Sequence, residues 1–223
     1  MTLIKPQDNS FNSDPQRRVT LIETQEKWRS SPSIGVKRLY LDRADFSEYT
    51  SATSIVKFNK DSLFTGHAHQ NGEEFLVLEG IFSDEYGDYP KGTYVRNPHG
   101  SCHSPYSKEG CKIFVKLRQF QKDDNLRIVK SVHEPWKAYT KELSFLKLHE
   151  FKKEIAYLAK FKPHSEVKLP FRNNGGEEVL ILSGEIRDST NNFSAVTWIR
   201  YPKSCFMKAC AGANGTCVFV KSG

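Results

Sequence analysis

The sequence predicts an all-β protein made of two similar antiparallel barrels in tandem, and three observations carry that expectation. Short apolar or alternating runs recur at close spacing, among them SATSIVKF, FLVLEGIF, CKIFVKL, EIAYLAKF, VLILSGEI, FSAVTWIRYP and TCVFVKSG. Turn clusters such as NG, GD, PKG, KEG, NNGG and GANG divide them, which is the punctuation of an antiparallel sandwich or barrel rather than of βαβ units. The chain also repeats itself. NGEEFLVLEGIF at 71–82 reads against GGEEVLILSGEI at 175–186, and YVRNPHGSCH at 94–103 reads against WIRYPKSCFM at 198–207, both at one offset of 104 residues.

Residues 1–17 are polar, rich in Asn, Ser, Asp, Gln and Pro, and are expected to form an arm with little structure of its own. The first barrel is expected over 18–120. A polar linker containing QKDDNLR follows at 121–130, and the second barrel at 131–223. Trp28 and Trp136 each open a half, and IFVKL and VFVKS close them. Two copies of so long a unit indicate a duplicated domain, not a solenoid. In KELSFLKLHEFKKE, Leu143, Leu146 and Phe151 are loosely spaced at helical intervals, but helix caps are absent, so the segment is read as strand or loop.

A 223-residue chain buries enough surface to hold a core without disulfides. Its five cysteines are odd in number and include no CxxC, which points to a reducing, cytoplasmic setting. No run of about 18 apolar residues and no apolar N-terminal segment occurs, so neither membrane spanning nor secretion is expected. The net charge of +7 is spread out, with no basic run beyond pairs such as Arg17-Arg18, so no nucleic-acid partner is expected.

Four of the seven histidines fall between 67 and 103. His67 and His69 are two apart, so on a strand both rings leave one face. The chain turns through Gln70-Asn71-Gly72 and returns with Glu73, and His103 follows a second turn at Asn97-Pro98-His99-Gly100. Imidazoles with one carboxylate suit zinc, iron(II), manganese, nickel or copper rather than calcium or magnesium.

GHAHQNGEEFLVLEG followed by GTYVRNPHGSCH resembles the two motifs of the cupin superfamily, HxH(x)3E(x)6G and G(x)5PxG(x)2H. The resemblance implies a double-stranded β-helix, or jelly-roll, here doubled as a bicupin. It also implies His67, His69, Glu73 and His103 as metal ligands, with Glu74 and His99 outside the set. The motifs depart at Asp61, where the family usually has Gly, and at Ser107, where it usually has Asn. EEFLVLEGIFSDEYGDYPKGTYVRNPHGSCHSPYSKEGCKIFVKL is more narrowly similar to the cupin domain of ChrR-like anti-sigma factors. That implies a zinc-binding module in transcription regulation, with Fe2+, Mn2+ or Ni2+ as other ions the same ligands accept. The HxxxCxxC motif through which such factors bind sigma does not occur in these residues, so sigma binding is not expected of this polypeptide.

At the same offset His67 becomes Phe171, His69 becomes Asn173, Glu73 becomes Glu177 and His103 becomes Met207. The second barrel is therefore expected to keep the fold without the metal, around a filled core. If Glu73 points inward, so do Phe75 and Val77. Leu76 and Leu78 then face outward and need cover from the other barrel or a second subunit. Tyr86, Tyr94 and Tyr106 are candidates for the mouth of the site or for scaffold packing. The readings are a metal-binding regulatory or sensing module, or an Fe(II)-dependent dioxygenase of a small organic molecule held at an open metal position. A homodimer or a regulatory protein is the expected partner.

Overall fold

The structure, a computed structural model, describes residues 11–223 apart from 46, 48, 172–174, 190, 204, 206 and 207. Asn173 and Met207 thus lie outside the described residues, as does the arm before Phe11. Strands of the first half are β1 (Val19–Ile22), β2 (Arg29–Ser30), β3 (Val36–Arg43), β4 (Ala52–Phe58), β5 (Ser62–Leu63), β6 (His67–Ala68), β7 (Glu73–Asp84), β8 (Gly87–Pro90), β9 (Thr93–Asn97), β10 (Cys102–His103), β11 (Tyr106–Ser107) and β12 (Cys111–Leu117). The second half has β13 (Ile128–Ser131), β14 (Lys137–Ala138), β15 (Leu143–Phe151), β16 (Glu154–Phe161), β17 (Glu177–Arg187), β18 (Asn192–Ser194), β19 (Thr197–Tyr201) and β20 (Cys210–Ser222). Among the described residues the one helical segment is a short 3-10 turn at Glu23–Gln25, and no helix is long and apolar enough to cross a membrane. The 143–151 segment is strand.

The two large sheets run β13-β9-β7-β12-β4-β3-β2 and β1-β19-β17-β20-β16-β15-β14. Position by position they are the same sheet built twice, with the outermost strands exchanged. β1 pairs with β19 (Val19 opposite Arg200), and β13 pairs with β9 (Ile128 opposite Arg96). Each half therefore closes the other's sheet. Residues 128–130, within the stretch read as linker, are thus part of a strand of the first sheet, and 19–22 form a strand of the second. Phe11 bridges Arg43 and stacks on Tyr40, so the described end of the arm is tied to β3.

Identical irregularities recur in both sheets. Opposite β12 the register of β7 slips at Leu78, and opposite β20 that of β17 slips at Leu182. Gly80 and Gly184 follow these bulges in left-handed conformation, φ +68° and +75°. A Cβ on either would lie 2.1 Å from the carbonyl oxygen of Gly110 or Gly215, so only glycine fits at the place where the repeat keeps it.

Three apolar cores follow from strand alternation. Phe75 and Val77 pack inside the first barrel with Val36, Val56, Phe58 and Val115. Val179, Ile181 and Val220 are among those filling the second. Leu76 and Leu78 point the other way and pack with Leu146, Leu158, Leu180, Trp198 and Phe219, so the outer faces of the two barrels cover each other. Both faces of β7 are apolar because both are buried.

Within this interface the repeated EE pair divides its labour. Glu73 and Glu177 face the interiors of their barrels, whereas Glu74 and Glu178 cross between them. Glu74 accepts from Lys221 of β20, from Arg96 at 2.7 Å and from Tyr94 at 2.6 Å. Reciprocally, Glu178 accepts from Lys116 of β12 at 2.6 Å and from Trp198 at 3.1 Å. Removing one partner of a buried pair of this kind leaves the other charge buried and uncompensated.

Candidate metal centre

His67 sits on β6 and His103 on β10, a two-stranded ribbon in which the two residues are directly opposite. His69 follows β6 and is held to the other side of the ribbon by its N–H to the Ser101 carbonyl, 2.8 Å. Glu73 opens β7. One donor atom from each of His67, His69, Glu73 and His103 lies within 4.8 Å of all the others. The imidazole centroids are 4.6 to 5.2 Å apart, and Glu73 Oε1 is 3.5 Å from Nε2 of both His69 and His103. His69, Glu73 and His103 are buried, and His67 is half-buried.

The hydrogen bonds behind the rings decide their tautomers. Nδ1 of His67 meets the Thr65 carbonyl at 3.0 Å, which can only accept. Nδ1 of His69 meets Ser101 Oγ at 2.9 Å, and that hydroxyl gives its proton to the Pro98 carbonyl at 2.6 Å, so it too accepts from the ring. Nδ1 of His103 meets the Asp84 carboxylate at 3.1 Å. All three neutral rings therefore carry hydrogen on Nδ1 and a lone pair on Nε2. His69 Nε2 is buried with no hydrogen-bond partner. An orphaned inward lone pair with an anchored outer N–H is what a metal-ligating histidine needs, so the residues fit a divalent ion.

Burial lowers the His69 pKa, partly opposed by Glu73. Burial acts on His103 in the same sense but is outweighed by the Asp84 hydrogen bond and by Glu73, which hold it above the ordinary value. Burial likewise pushes the Asp84 carboxyl up, and the hydrogen bonds from His103, the Tyr86 N–H and Tyr89 overcome it.

Asp84 and Ser101 are positioning residues that sequence reasoning missed. Counting by twos from Glu73 puts Asp84 on the outer face. The bulge at Leu78 reverses the parity, so Phe82 and Asp84 point inward. Of the three tyrosines, Tyr94 is buried between the barrels, Tyr86 is exposed and donates to the Cys102 carbonyl at 3.4 Å, and Tyr106 is half-buried on β11. None of them lines the cavity at the cluster. His99 is exposed and accepts from the Asn71 N–H, outside the cluster. Asp61 has φ +58°, the conformation that a glycine would take without strain. Ser107 donates to the Ile81 carbonyl at 2.6 Å.

The cluster opens on a cavity of about 580 Å³ inside the first barrel. Val56, Phe58, Ile113 and Val115 form apolar wall, and Arg38, Arg43 and Arg118 also line it. In the second barrel the equivalent of His67, Phe171, stacks edge-on against Phe145 and Tyr157 at 4.9 and 5.1 Å. Asp124, His149 and Glu154 form another compact group. Arg96 and Lys221 already neutralise it, at 2.6 Å from Asp124 and 3.1 Å from Glu154, so it reads as part of the interbarrel ion-pair network.

Residues 16–121 match the ChrR Cupin-like domain family. With the jelly-roll topology, that decides the matter. The first barrel is a cupin domain. Solved structures extend the likeness to the whole chain at the level of fold. A putative dioxygenase from Nostoc punctiforme PCC 73102 is 16% identical with TM-score 0.74, covering 92% of this chain and 82% of that one. Protein Ylba from E. coli is 14% identical with TM-score 0.71, covering 95% and 93%. The bacterial pirin YhhW from E. coli, solved in complex with nickel(II), is 10% identical with TM-score 0.64, covering 92% and 98%. No curated relative matches the chain.

Proposed function

We propose that the chain is a bicupin metalloenzyme whose first barrel holds one divalent ion on His67, His69, Glu73 and His103 and acts on a small organic molecule in the adjoining cavity. The observation that carries this reading is the opening of the cluster onto about 580 Å³ of space. Structural metal sites are closed, whereas catalytic ones keep a position for water or substrate. A bound divalent ion would supply Lewis acidity and, as iron, redox capacity. The chain's own residues do the rest. Asp84, Ser101 and the Thr65 carbonyl hold three imidazoles in the ligating tautomer. Asn97 Nδ2 steadies Glu73 from 3.4 Å. The apolar wall excludes water from around the ligand. The second barrel serves as a packed partner that covers the outer face of the first.

A second reading is favoured by the ChrR-type match over 16–121: a zinc-organised regulatory module in which metal occupancy sets conformation. Five unpaired cysteines support a reducing compartment for either. The test is elemental analysis of protein purified without added metal. Anaerobic Fe(II) reconstitution and oxygen uptake on small diketones, thiols and carboxylic acids follow. Substrate-dependent uptake by the iron form supports the enzyme. Stoichiometric zinc with no uptake by any reconstituted form would favour the regulatory module.

A further inference from the structure

The cavity beside the imidazoles has a second chemical feature. Alternation along β3 puts Arg38 and Tyr40 on the same face as Val36, which lies in the first barrel's core. A bulge between Tyr40 and Asp42 then turns Arg43 to the same space, and Arg118, just past β12, joins them on its wall. Arg38 Nη1 is buried with no hydrogen-bond partner. Arg43 donates to the carbonyls of Asp45 and Ser47, and Arg118 to that of Thr50 at 3.2 Å. Glu73, engaged with the imidazoles, is the one carboxylate among the described residues lining the cavity. Burial lowers the Arg38 pKa; the charges of Tyr40 and Glu73 oppose this, and those of Arg43 and Arg118 add to it. A half-buried arginine whose Nη1 is buried and unpaired beside a cavity, with two like charges nearby, is a place where an added anion is favourable.

The second barrel supplies an internal control. Arg38 is paired with Val56 two residues before the end of β4, and Phe145 is paired with Ala159 two residues before the end of β16. Phe145 therefore stands where Arg38 does, and it packs on Phe171, the residue at the His67 position. The guanidinium and the imidazole have been replaced together, by two rings that fill the space. A charge needed only to hold this strand in place has no reason to vanish with the metal cluster.

We propose that Arg38, flanked by Arg43 and Arg118, recognises the carboxylate of a small organic acid bound between the arginine wall and the imidazole cluster. The apolar remainder of the wall suits a short carbon skeleton better than a fully hydrated phosphate. This deepens the metalloenzyme reading and rests on it for the end of the ligand that meets the histidines.

Isothermal titration of zinc-loaded protein with succinate, 2-oxoglutarate and benzoate tests it, with benzamide as the neutral arm and inorganic phosphate as the phosphate arm. At least one carboxylate should saturate, benzamide should not, and phosphate should bind at least tenfold more weakly. Arg38→Phe should weaken the carboxylate at least tenfold while zinc stoichiometry stays and the melting temperature holds or rises. Arg38→Met serves where the ring fails to fit. Unchanged carboxylate affinity in the folded variants overturns the proposal, as does absence of saturable carboxylate binding or a preference for phosphate. Titrating metal-free His103→Ala separates the two readings. Arg38-dependent carboxylate binding there supports the arginine subsite independently of the metal, whereas stoichiometric zinc in the parent protein without carboxylate binding discards the subsite and leaves the metal reading standing.

Discussion

Asp84→Asn changes one charge and no volume, and the structure says how that reaches the metal centre. Asp84 Oδ1 accepts from the Tyr86 N–H at 2.9 Å and from Tyr89 at 3.1 Å, while Oδ2 accepts from His103 Nδ1. An amide has one acceptor oxygen, and two of the three donors are on the Oδ1 side. The asparagine oxygen is therefore drawn there, leaving its NH₂ facing His103 Nδ1. That nitrogen must then accept, which puts the ring's hydrogen on Nε2, the atom that faces Glu73. Metal binding would have to reverse the tautomer or the amide. Loss of a partner of this kind weakens metal affinity by about 10- to 100-fold, roughly 1.4 to 2.7 kcal/mol. The measurement is zinc competition against a chromogenic chelator, with thermal unfolding in chelator to show that the metal-free fold is intact. A variant that folds normally and binds zinc within twofold of the parent would refute the argument that Asp84 sets the tautomer of His103.

Other outcomes follow from the same geometry. His103→Ala should abolish tight zinc binding, whereas His99→Ala and Glu177→Ala should leave one zinc per chain by elemental analysis. Zinc affinity should fall with acidification, beginning above the usual histidine range of about 6.5, because His103 in the metal-free protein takes up a proton earlier than a free histidine. A pH-independent affinity between 5 and 8 would contradict this. Glu74→Ala strands two buried cations that keep only Glu154 and Asp124 as partners, and should cost about 3 kcal/mol, or roughly 6 to 12 °C in melting temperature. The Glu74 carboxyl is raised by burial but held down to about 2 overall by Lys221 and Arg96. Its contribution is thus complete above its unfolded value and is lost as pH falls from there toward 2, a dependence that acid unfolding of the Ala variant should lack. Burial pushes the Cys111 and Cys217 thiols up to about 11, leaving about one in a thousand as thiolate at pH 8. A disulfide reagent should label exposed Cys102 and Cys210 quickly, and Cys111 and Cys217 only after unfolding.

The sequence alone carried a good part of this. Alternation and turn chemistry act locally, so the all-β class, the duplicated unit and the inward direction of Phe75 and Val77 could be read from it. The histidines and Glu73 were legible because two short turns bring them together over fewer than 40 residues. What lay beyond reach depends on contacts distant in the chain or on a break in periodicity. The exchange of β1 and β13 is set by which sheet edge each strand meets. The meaning of the second glutamate in each EE pair depends on a lysine in the opposite barrel. Asp84 became visible only through the bulge at Leu78, which reverses the side-chain parity that a period of two assumes. In the sequence Arg38 carries no signal that sets it apart from Lys37 beside it. Only the packed barrel shows that its guanidinium shares an interior with the imidazoles, because burial belongs to the assembled sheet and not to the residue.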